Sequence, residues 1–235
     1  MLKAIIFDMD GVLLDSPRYN FKSFNMALKK YGVQITKDEF AKKYLGGSLR
    51  DQLQQWKSIF LSIPKDLDLM TFSAEALDYQ MAMFKDELKP NKSILNLIDE
   101  AKKNQIKIAV ATSSTTDRAK LILGHLGILD KLDTLITSED VLKHKPSPDI
   151  FLKTAEVLNV KPEDCVVIED AVDGIQAANN AKMKSVAKLT RYHTKEELAE
   201  ADFIFEDFDG LKLDRLQVIW PGFSKNHKIK SLKNL

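Results

Sequence analysis

Four short stretches of this 235-residue chain carry polar side chains that could act together on one substrate. Each stretch follows an apolar run that is typical of a buried strand. The candidate residues are the carboxylates Asp8, Asp10, Glu169 and Asp170, the hydroxyls Thr112 and Ser113, and the ammonium group of Lys145. Any one of them alone is typical of a surface turn or a helix cap. Their occurrence in order, after successive strands, indicates a shared site.

The charges of these residues predict the kind of ligand. Ligands of an open parallel sheet bind beyond the carboxyl ends of its strands. If four carboxylates meet there, each like-charge pair costs about 4 kcal/mol at ~4 Å and an effective dielectric constant of ~20. Lys145 alone does not offset this repulsion, so the pattern predicts a hard divalent cation, with Mg²⁺ the best match to oxygen ligands. It also predicts an anionic substrate rich in oxygen, which is a phosphate ester.

Short apolar runs predict the strands that position these residues, at 3–7, 106–111, 132–137, 165–168, 185–187 and 202–205. Stretches with helical periodicity lie between the later runs, at 93–103, 117–126, 148–158 and 173–181. Alternating strands and helices favour right-handed crossovers between parallel strands. We therefore predict an α/β fold, with a doubly wound, mainly parallel sheet covered by helices on both faces.

Residues 16–87 interrupt this alternation, because they hold helical stretches at 19–31, 37–44, 49–60 and 66–84 and no convincing strand. The simplest interpretation is a small helical cap inserted after the first strand. We predict a discontinuous core of residues 1–15 and 88–215, a cap of residues 16–87 and a C-terminal extension of residues 216–235. The site would lie where the cap closes over the sheet edge.

Composition excludes several other classes of protein. Hydrophobic residues make up 44% of the chain and the net charge is +1, so no global charge favours nucleic acid or an anionic membrane. The single cysteine, Cys165, opens a buried strand and is expected to be an inert core thiol. No apolar stretch approaches the ~18 residues of a membrane span. We expect a cytoplasmic protein with no nucleic-acid or membrane partner; the oligomeric state is left open, and a monomer is compatible with the sequence.

The motifs resemble those of a known family. Asp8-Met9-Asp10-Gly11, Thr112, Lys145-Pro146 and Glu169-Asp170 stand in the order and spacing of the haloacid dehalogenase superfamily, in its phosphatase and phosphomutase branch. The resemblance covers about residues 1–210. It implies that Asp8 is a nucleophile that forms an aspartyl-phosphate, and that Asp10 is first the general acid and then the base.

The resemblance also implies the roles of the other motif residues. Mg²⁺ would be held by the Asp8 carboxylate, the Asp10 backbone carbonyl and Asp170, with Glu169 ligating or close by. Thr112, Lys145 and the region of Ser113 would hold the phosphoryl oxygens of a small phosphorylated metabolite. Dehalogenases proper lack the second aspartate, so the presence of Asp10 argues against that activity.

Hydrolysis and phosphate transfer within one sugar stay open as alternatives. The family's β-phosphoglucomutases carry a cap histidine about where Asn20 stands, and a basic residue that Arg50 matches only with a shift of one position. These departures favour a phosphatase over a mutase. Asn20, Gly46, Gly47 and Arg50 are the predicted contacts of the cap with the substrate.

Two other classes fit less well. Phospho-receiver domains combine the same residue types, but their acidic pair precedes the acceptor aspartate and they lack a long helical insert. A dinucleotide-binding oxidoreductase would need a Gly-x-Gly-x-x-Gly motif after the first strand, which is not found here.

Overall fold

The computed structural model describes residues 1–44 and 49–219. Within them, six parallel strands form one sheet in the order β3-β2-β1-β4-β5-β6. The strands are β1 (Ala4–Phe7), β2 (Lys107–Ala111), β3 (Thr134–Ile136), β4 (Cys165–Glu169), β5 (Lys184–Lys188) and β6 (Phe203–Phe205). All six predicted strands are present, and the sheet is wholly parallel within the described residues. The predicted fold class is therefore confirmed.

Helices cover both faces of the sheet. They are α5 (Lys92–Lys103), α6 (Thr116–His125), α7 (Asp149–Leu158), α8 (Val172–Asn180) and α9 (Leu213–Val218). Alternation along the strands decides the face on which each residue packs. Phe7 and Ile168 belong to the hydrophobic cluster with α5, α6 and α9, whereas Ile6 and Val167 belong to the cluster with α7 and α8. Because β1, β2 and β4 are buried on both faces, they consist almost entirely of apolar residues.

The insert between β1 and β2 is helical, as predicted. It contains α1 (Ser16–Lys29), α2 (Lys37–Glu39), α3 (Leu49–Ile59) and α4 (Leu69–Glu87). Its own hydrophobic cluster is built around Trp56, which is fully buried and lies 5.7 Å from both Phe24 and Phe72, centroid to centroid. An independent apolar core of this kind is what a cap requires, although the proposed domain boundaries stay predictions.

Most helix ends differ from the predicted ones by one to three residues, and α1 begins at Ser16 rather than at residue 19. The predicted helix 37–44 is a short α-helix that continues as a π-helix over Phe40–Tyr44. Helix α4 begins at Leu69 rather than near residue 66, because the Asp68 side chain accepts a hydrogen bond from the backbone N–H of Thr71 and caps the helix there. No helix in the described part of the chain combines the length and the apolar character that crossing a membrane requires.

Cys165 opens β4 and is fully buried, as predicted. Burial, with the charge of Asp164 next to it, raises the pKa of the Cys165 thiol to about 12. The thiolate is the reactive form, so raising the pH from 7 to 9 should leave this group protonated, unlike an ordinary cysteine with a pKa of about 8.5.

We therefore expect Ellman's reagent to label the native protein slowly at pH 8 and rapidly after unfolding in guanidinium chloride. Lys120→Cys, at an exposed position of α6, serves as the control and should add one fast-reacting thiol. Rapid labelling of the native wild-type chain would contradict the burial of Cys165.

Candidate active site

The parallel sheet brings the ends of its central strands together. Phe7, the last residue of β1, pairs with Val110 of β2 and Ile168 of β4. The next residue, Asp8, extends β1 and donates its backbone N–H to the carbonyl of Ile168 over 2.9 Å. Glu169 is the last residue of β4 and follows Ile168, just as Asp8 follows Phe7 on the neighbouring strand. The predicted convergence of acidic residues at the carboxyl edge of the sheet is therefore present.

An acidic cluster, which we define as Asp8, Glu169 and Asp170, lies at this edge. One carboxylate oxygen from each residue lies within 4.8 Å of the other two, and all three residues are buried. Burial raises the pKa of Asp8 well above its usual value, and the charges of Glu169 and Asp10 add to this effect against the opposing Lys145. Burial and the charge of Glu169 likewise raise the pKa of Asp170 to about 7. The cluster thus carries more negative charge than its surroundings offset.

Lys145 supplies positive charge inside the cluster. Its Nζ lies 2.5 Å from Asp8 Oδ1 and 2.6 Å from Glu169 Oε1, and its side chain is only 10% exposed. Burial opposes the charged form, but the two carboxylates outweigh burial and raise the pKa of Lys145. One ammonium group faces three carboxylates, so the cluster fits a divalent cation. Hard cations with oxygen ligands match this set of side chains.

Two glycines let the backbone approach the acidic side chains. A Cβ on Gly11 would lie 2.0 Å from Asp170 Oδ2, and a Cβ on Gly174 would lie 1.9 Å from Glu169 Oε1. Gly11 also has a φ of +86°, which side chains rarely allow. Lys188 of β5 holds this loop by donating to the carbonyls of Gly11 and Val12 over 2.9 and 3.0 Å. Gly11 and Gly174 are therefore both required by packing around the cluster.

Asp10 does not join the acidic cluster through its side chain. Arg118 of α6 binds both carboxylate oxygens of Asp10, over 3.0 and 2.9 Å. Ser114 donates to Asp10 Oδ2 over 2.8 Å, and Ser16 donates to Oδ1. Burial alone would raise the pKa of Asp10, but the charge and hydrogen bonds of Arg118, with the two serine hydroxyls, lower it to about 2.

Arg118, Ser114 and Ser16 were not predicted from the sequence. Ser114 and Arg118 are four residues apart around the start of α6, a spacing that places two side chains on one side of a helix. That spacing is a weak signal, because it does not tell which side of α6 faces the strand ends. Only the packing of α6 on one face of the sheet directs the guanidinium group toward Asp10.

The predicted phosphate-binding hydroxyls are placed differently from one another. Ser113 lines the cavity above the acidic cluster, and Lys145 does so as well. Thr112 is fully buried, and its hydroxyl accepts the backbone N–H of Ser114 over 3.1 Å. Thr112 is not among the residues that line the cavity, so a direct role in holding phosphate stays a prediction.

A cavity of about 750 Å³ lies between the sheet edge and the helical insert. The acidic cluster forms part of its wall, and Asn20 of α1 lines it from the insert. Gln80 of α4 donates to Asn20 Oδ1 over 2.7 Å and to Ser23 Oγ over 3.2 Å. Arg50 is exposed and does not line the cavity. Gly46 and Gly47 lie outside the described residues.

Fold and site together define an enzyme with a buried acidic cluster at the carboxyl edge of a parallel sheet, beneath a helical insert. The chain belongs to the haloacid dehalogenase-like hydrolase family, whose family model matches residues 5–188. The resemblance to this family is thus confirmed, and its members are generally metal-dependent.

Named relatives include both phosphatases and a mutase. The chain is 36% identical to the fructose-1-phosphate phosphatase of Escherichia coli, over 78% of this chain and 94% of that one. It is 31% identical to the β-phosphoglucomutase of Bacillus subtilis, over 94% and 97% of the two chains. The crystal structure of β-phosphoglucomutase from Clostridium difficile superposes with a TM-score of 0.75 at 30% identity, covering 93% of this chain and 97% of that one.

The acidic cluster predicts how a divalent cation affects stability. An ion that binds only the folded state stabilises it, and at about ten times its Kd the melting temperature should rise by a few degrees. We expect added Mg²⁺ to produce this rise in the wild-type chain and not in Asp170→Asn, as measured by thermal unfolding.

Asp214→Asn serves as the matched control, because Asp214 is exposed on α9 and lies outside the cluster. This variant should respond to Mg²⁺ like the wild type. An equal rise in Asp170→Asn would show that the ion binds elsewhere.

Proposed function

We propose that the enzyme hydrolyses phosphate monoesters of small, uncharged, polyhydroxylated molecules, with Mg²⁺ bound at the acidic cluster. The single observation that carries this proposal is the position of Asp8. Its carboxylate is buried in contact with Lys145, beside Glu169 and Asp170, and it lines the cavity. A carboxylate placed among groups that offset the charge of a phosphate is suited to attack phosphorus.

In the proposed first step, a carboxylate oxygen of Asp8 attacks phosphorus and the bond from phosphorus to the ester oxygen breaks. Asp10 supplies the proton that the leaving oxygen needs. Mg²⁺, when bound, offsets the charge between the Asp8 carboxylate and the phosphoryl oxygens. Lys145 neutralises Asp8 and the transferring group, and the loop that carries Ser113 holds the phosphoryl oxygens.

In the second step, Asp10 takes a proton from water, and the water oxygen attacks phosphorus. The bond between Asp8 and phosphorus breaks, which releases inorganic phosphate and restores the Asp8 carboxylate. The same aspartate therefore acts as acid in one step and base in the next, so the proton balance closes over the cycle.

Charge across the cavity supports a substrate with one phosphate. The charged residues of its lining all come from the α/β core, at the phosphate end. The described residues that line it from the helical insert are uncharged, and they include Asn20, Phe24, Phe40, Gln52, Ser73 and Gln80. A second phosphate on the substrate would meet no cation among these residues.

The Asn20–Gln80 pair supports a leaving group that carries hydroxyls. The bond from Gln80 Nε2 to Asn20 Oδ1 leaves the Asn20 amide N–H groups and the Gln80 carbonyl oxygen without a hydrogen-bond partner among the described residues. Both residues line the cavity. A sugar or polyol hydroxyl, which both donates and accepts, matches these two groups.

Transfer of phosphate within one sugar, as in the relative named β-phosphoglucomutase, is the second candidate function. The identity over nearly the whole of both chains favours it. Against it, Asn20 cannot titrate near neutral pH as a histidine can, and Arg50 is exposed outside the cavity. We therefore rank hydrolysis first. A cytoplasmic location and the oligomeric state stay predictions.

Replacing the nucleophile tests the proposed reaction. We expect Asp8→Asn to lower the kcat for para-nitrophenyl phosphate by at least about a thousandfold, because an amide oxygen is a poor nucleophile. The control Asp214→Asn should keep wild-type activity. Phosphate release by Asp8→Asn at the wild-type rate would remove Asp8 as the nucleophile.

The neutral lining of the insert predicts a preference between two related substrates. We expect kcat/KM for fructose 1-phosphate to exceed that for fructose 1,6-bisphosphate by about tenfold or more, because the second phosphate is left without a charged partner. The measurement is phosphate release at matched concentrations.

Incubation with β-glucose 1-phosphate distinguishes the two candidate functions. Hydrolysis should release inorganic phosphate and form little glucose 6-phosphate. Glucose 6-phosphate formed in large excess over inorganic phosphate would reverse the ranking.

A further inference from the structure

Asp10 is fully occupied by hydrogen-bond donors. Its Oδ1 receives Ser16 Oγ and Arg118, and its Oδ2 receives Ser114 Oγ, Arg118 and, over a longer 3.5 Å, Thr112 Oγ1. A carboxylate offers about four acceptor positions, so these donors leave none for a proton or for a water molecule. In this arrangement Asp10 can neither donate a proton to a leaving group nor accept one from water.

Arg118 is positioned to contact a second anion besides Asp10. Its side chain is 19% exposed, and it lines the cavity together with Asp8, Ser113 and Lys145. The guanidinium fork fits carboxylates and phosphates equally well, with two parallel N–H···O bonds. A phosphate monoester carries up to two negative charges, so at similar distances it attracts Arg118 more strongly than the single charge of Asp10 does.

We propose that Arg118 is a phosphoryl-binding residue that moves from Asp10 to the substrate's phosphoryl group, and that this exchange frees the Asp10 carboxyl group for proton transfer. The inference rests on the proposed function and deepens it. Arg118 itself stays paired with an anion at every stage, and Asp10 takes up a proton from solvent once Arg118 has left it. Arg118 keeps its phosphoryl contact while phosphate is attached to Asp8. When phosphate leaves, Asp10 returns its proton to solvent and Arg118 binds Asp10 again.

The exchange has a consequence for the chemistry. Without a phosphoryl group at the site, Asp10 is held by Arg118 and does not activate water. With one bound, Asp10 is free in both the acid and the base step. Binding of the correct anion would therefore complete the catalytic arrangement, which is a form of induced fit.

Direct binding of inorganic phosphate in the presence of Mg²⁺ tests the inference, with isothermal titration calorimetry as the measurement. We expect Arg118→Ala to raise the Kd for phosphate by about tenfold to a hundredfold, which is the effect of losing hydrogen bonds from a charged donor. Arg118→Gln, which keeps a hydrogen-bonding side chain without the charge, should weaken binding by a similar factor.

Lys120→Ala is the matched control. It removes a positive charge from the same helix, α6, at an exposed position outside the cavity. This variant should bind phosphate within about twofold of the wild type, since exposed charges are screened by solvent and salt. An unchanged Kd in both Arg118 variants, with their folding confirmed by thermal unfolding, would overturn the inference.

Steady-state kinetics distinguish two roles of Arg118, which are binding of the phosphoryl group and alignment of Asp10 alone. Nitrophenolate leaves without a proton, whereas a sugar oxygen needs one. We expect Arg118→Ala to raise KM for para-nitrophenyl phosphate and for fructose 1-phosphate about equally, and to preserve the ratio of the two kcat values. A selective loss of kcat for fructose 1-phosphate with unchanged phosphate affinity would show that Arg118 only aligns Asp10, and would overturn the inference.

The binding measurement does not depend on turnover. A wild-type chain that binds phosphate through Arg118 and yet hydrolyses neither ester would reject the proposed function and support the phosphoryl-binding role. Hydrolysis that is abolished by Asp8→Asn, together with phosphate binding that the Arg118 variants leave unchanged, would support the proposed function and reject the phosphoryl-binding role of Arg118.

Discussion

Burial of three carboxylates at one edge of a parallel sheet is the constraint on which the rest of this structure depends. Asp8, Glu169 and Asp170 are 6%, 2% and 7% exposed, and Lys145 is the ammonium group in direct contact with two of them. Charges of one sign held this close are unfavourable unless a cation lies among them. The strands that deliver these residues, and the glycines that make room for their side chains, are therefore tied to the binding of a cation.

The core and the helical insert contribute different kinds of residue to the lining of the cavity. The core supplies all the charges of the cavity lining, which suit an ion and a phosphoryl group, whereas the described part of the insert supplies amides, hydroxyls and apolar side chains. A substrate that is charged at one end and neutral at the other matches this division. The insert has its own hydrophobic cluster around Trp56, and Tyr19 and Phe84 join it to the cluster of the sheet.

Asp10 connects these two parts of the molecule. Its carboxylate binds Ser16 at the first residue of α1, Ser114 in the loop after β2, and Arg118 of α6. One side chain thus joins the beginning of the helical insert to the part of the core where phosphate is expected to bind. Any rearrangement of the insert relative to the core must change the hydrogen bonds of the residue that the proposed mechanism uses for proton transfer.

The sheet and the identity of its edge residues could be predicted from the order of residues along the chain. Apolar runs of four to six residues interrupted by Asp8, Thr112 or Glu169-Asp170 are a local signal, since a strand buried on both faces must be apolar and its polar residues must follow its end. Periodicity likewise predicted the helical insert. Helix ends were less certain, because a cap such as Asp68 acts through one hydrogen bond that competes with its neighbours.

Which side chains meet across distant parts of the chain depends on how whole helices and strands pack. Arg118 reaches Asp10, 108 positions earlier, because α6 packs on one face of the sheet with one particular rotation about its axis. No local pattern specifies that rotation. For the same reason Thr112 is buried and does not line the cavity, and Arg50 faces solvent. Residue types and their order follow from the chain, whereas the direction of each side chain follows from the packing of whole elements.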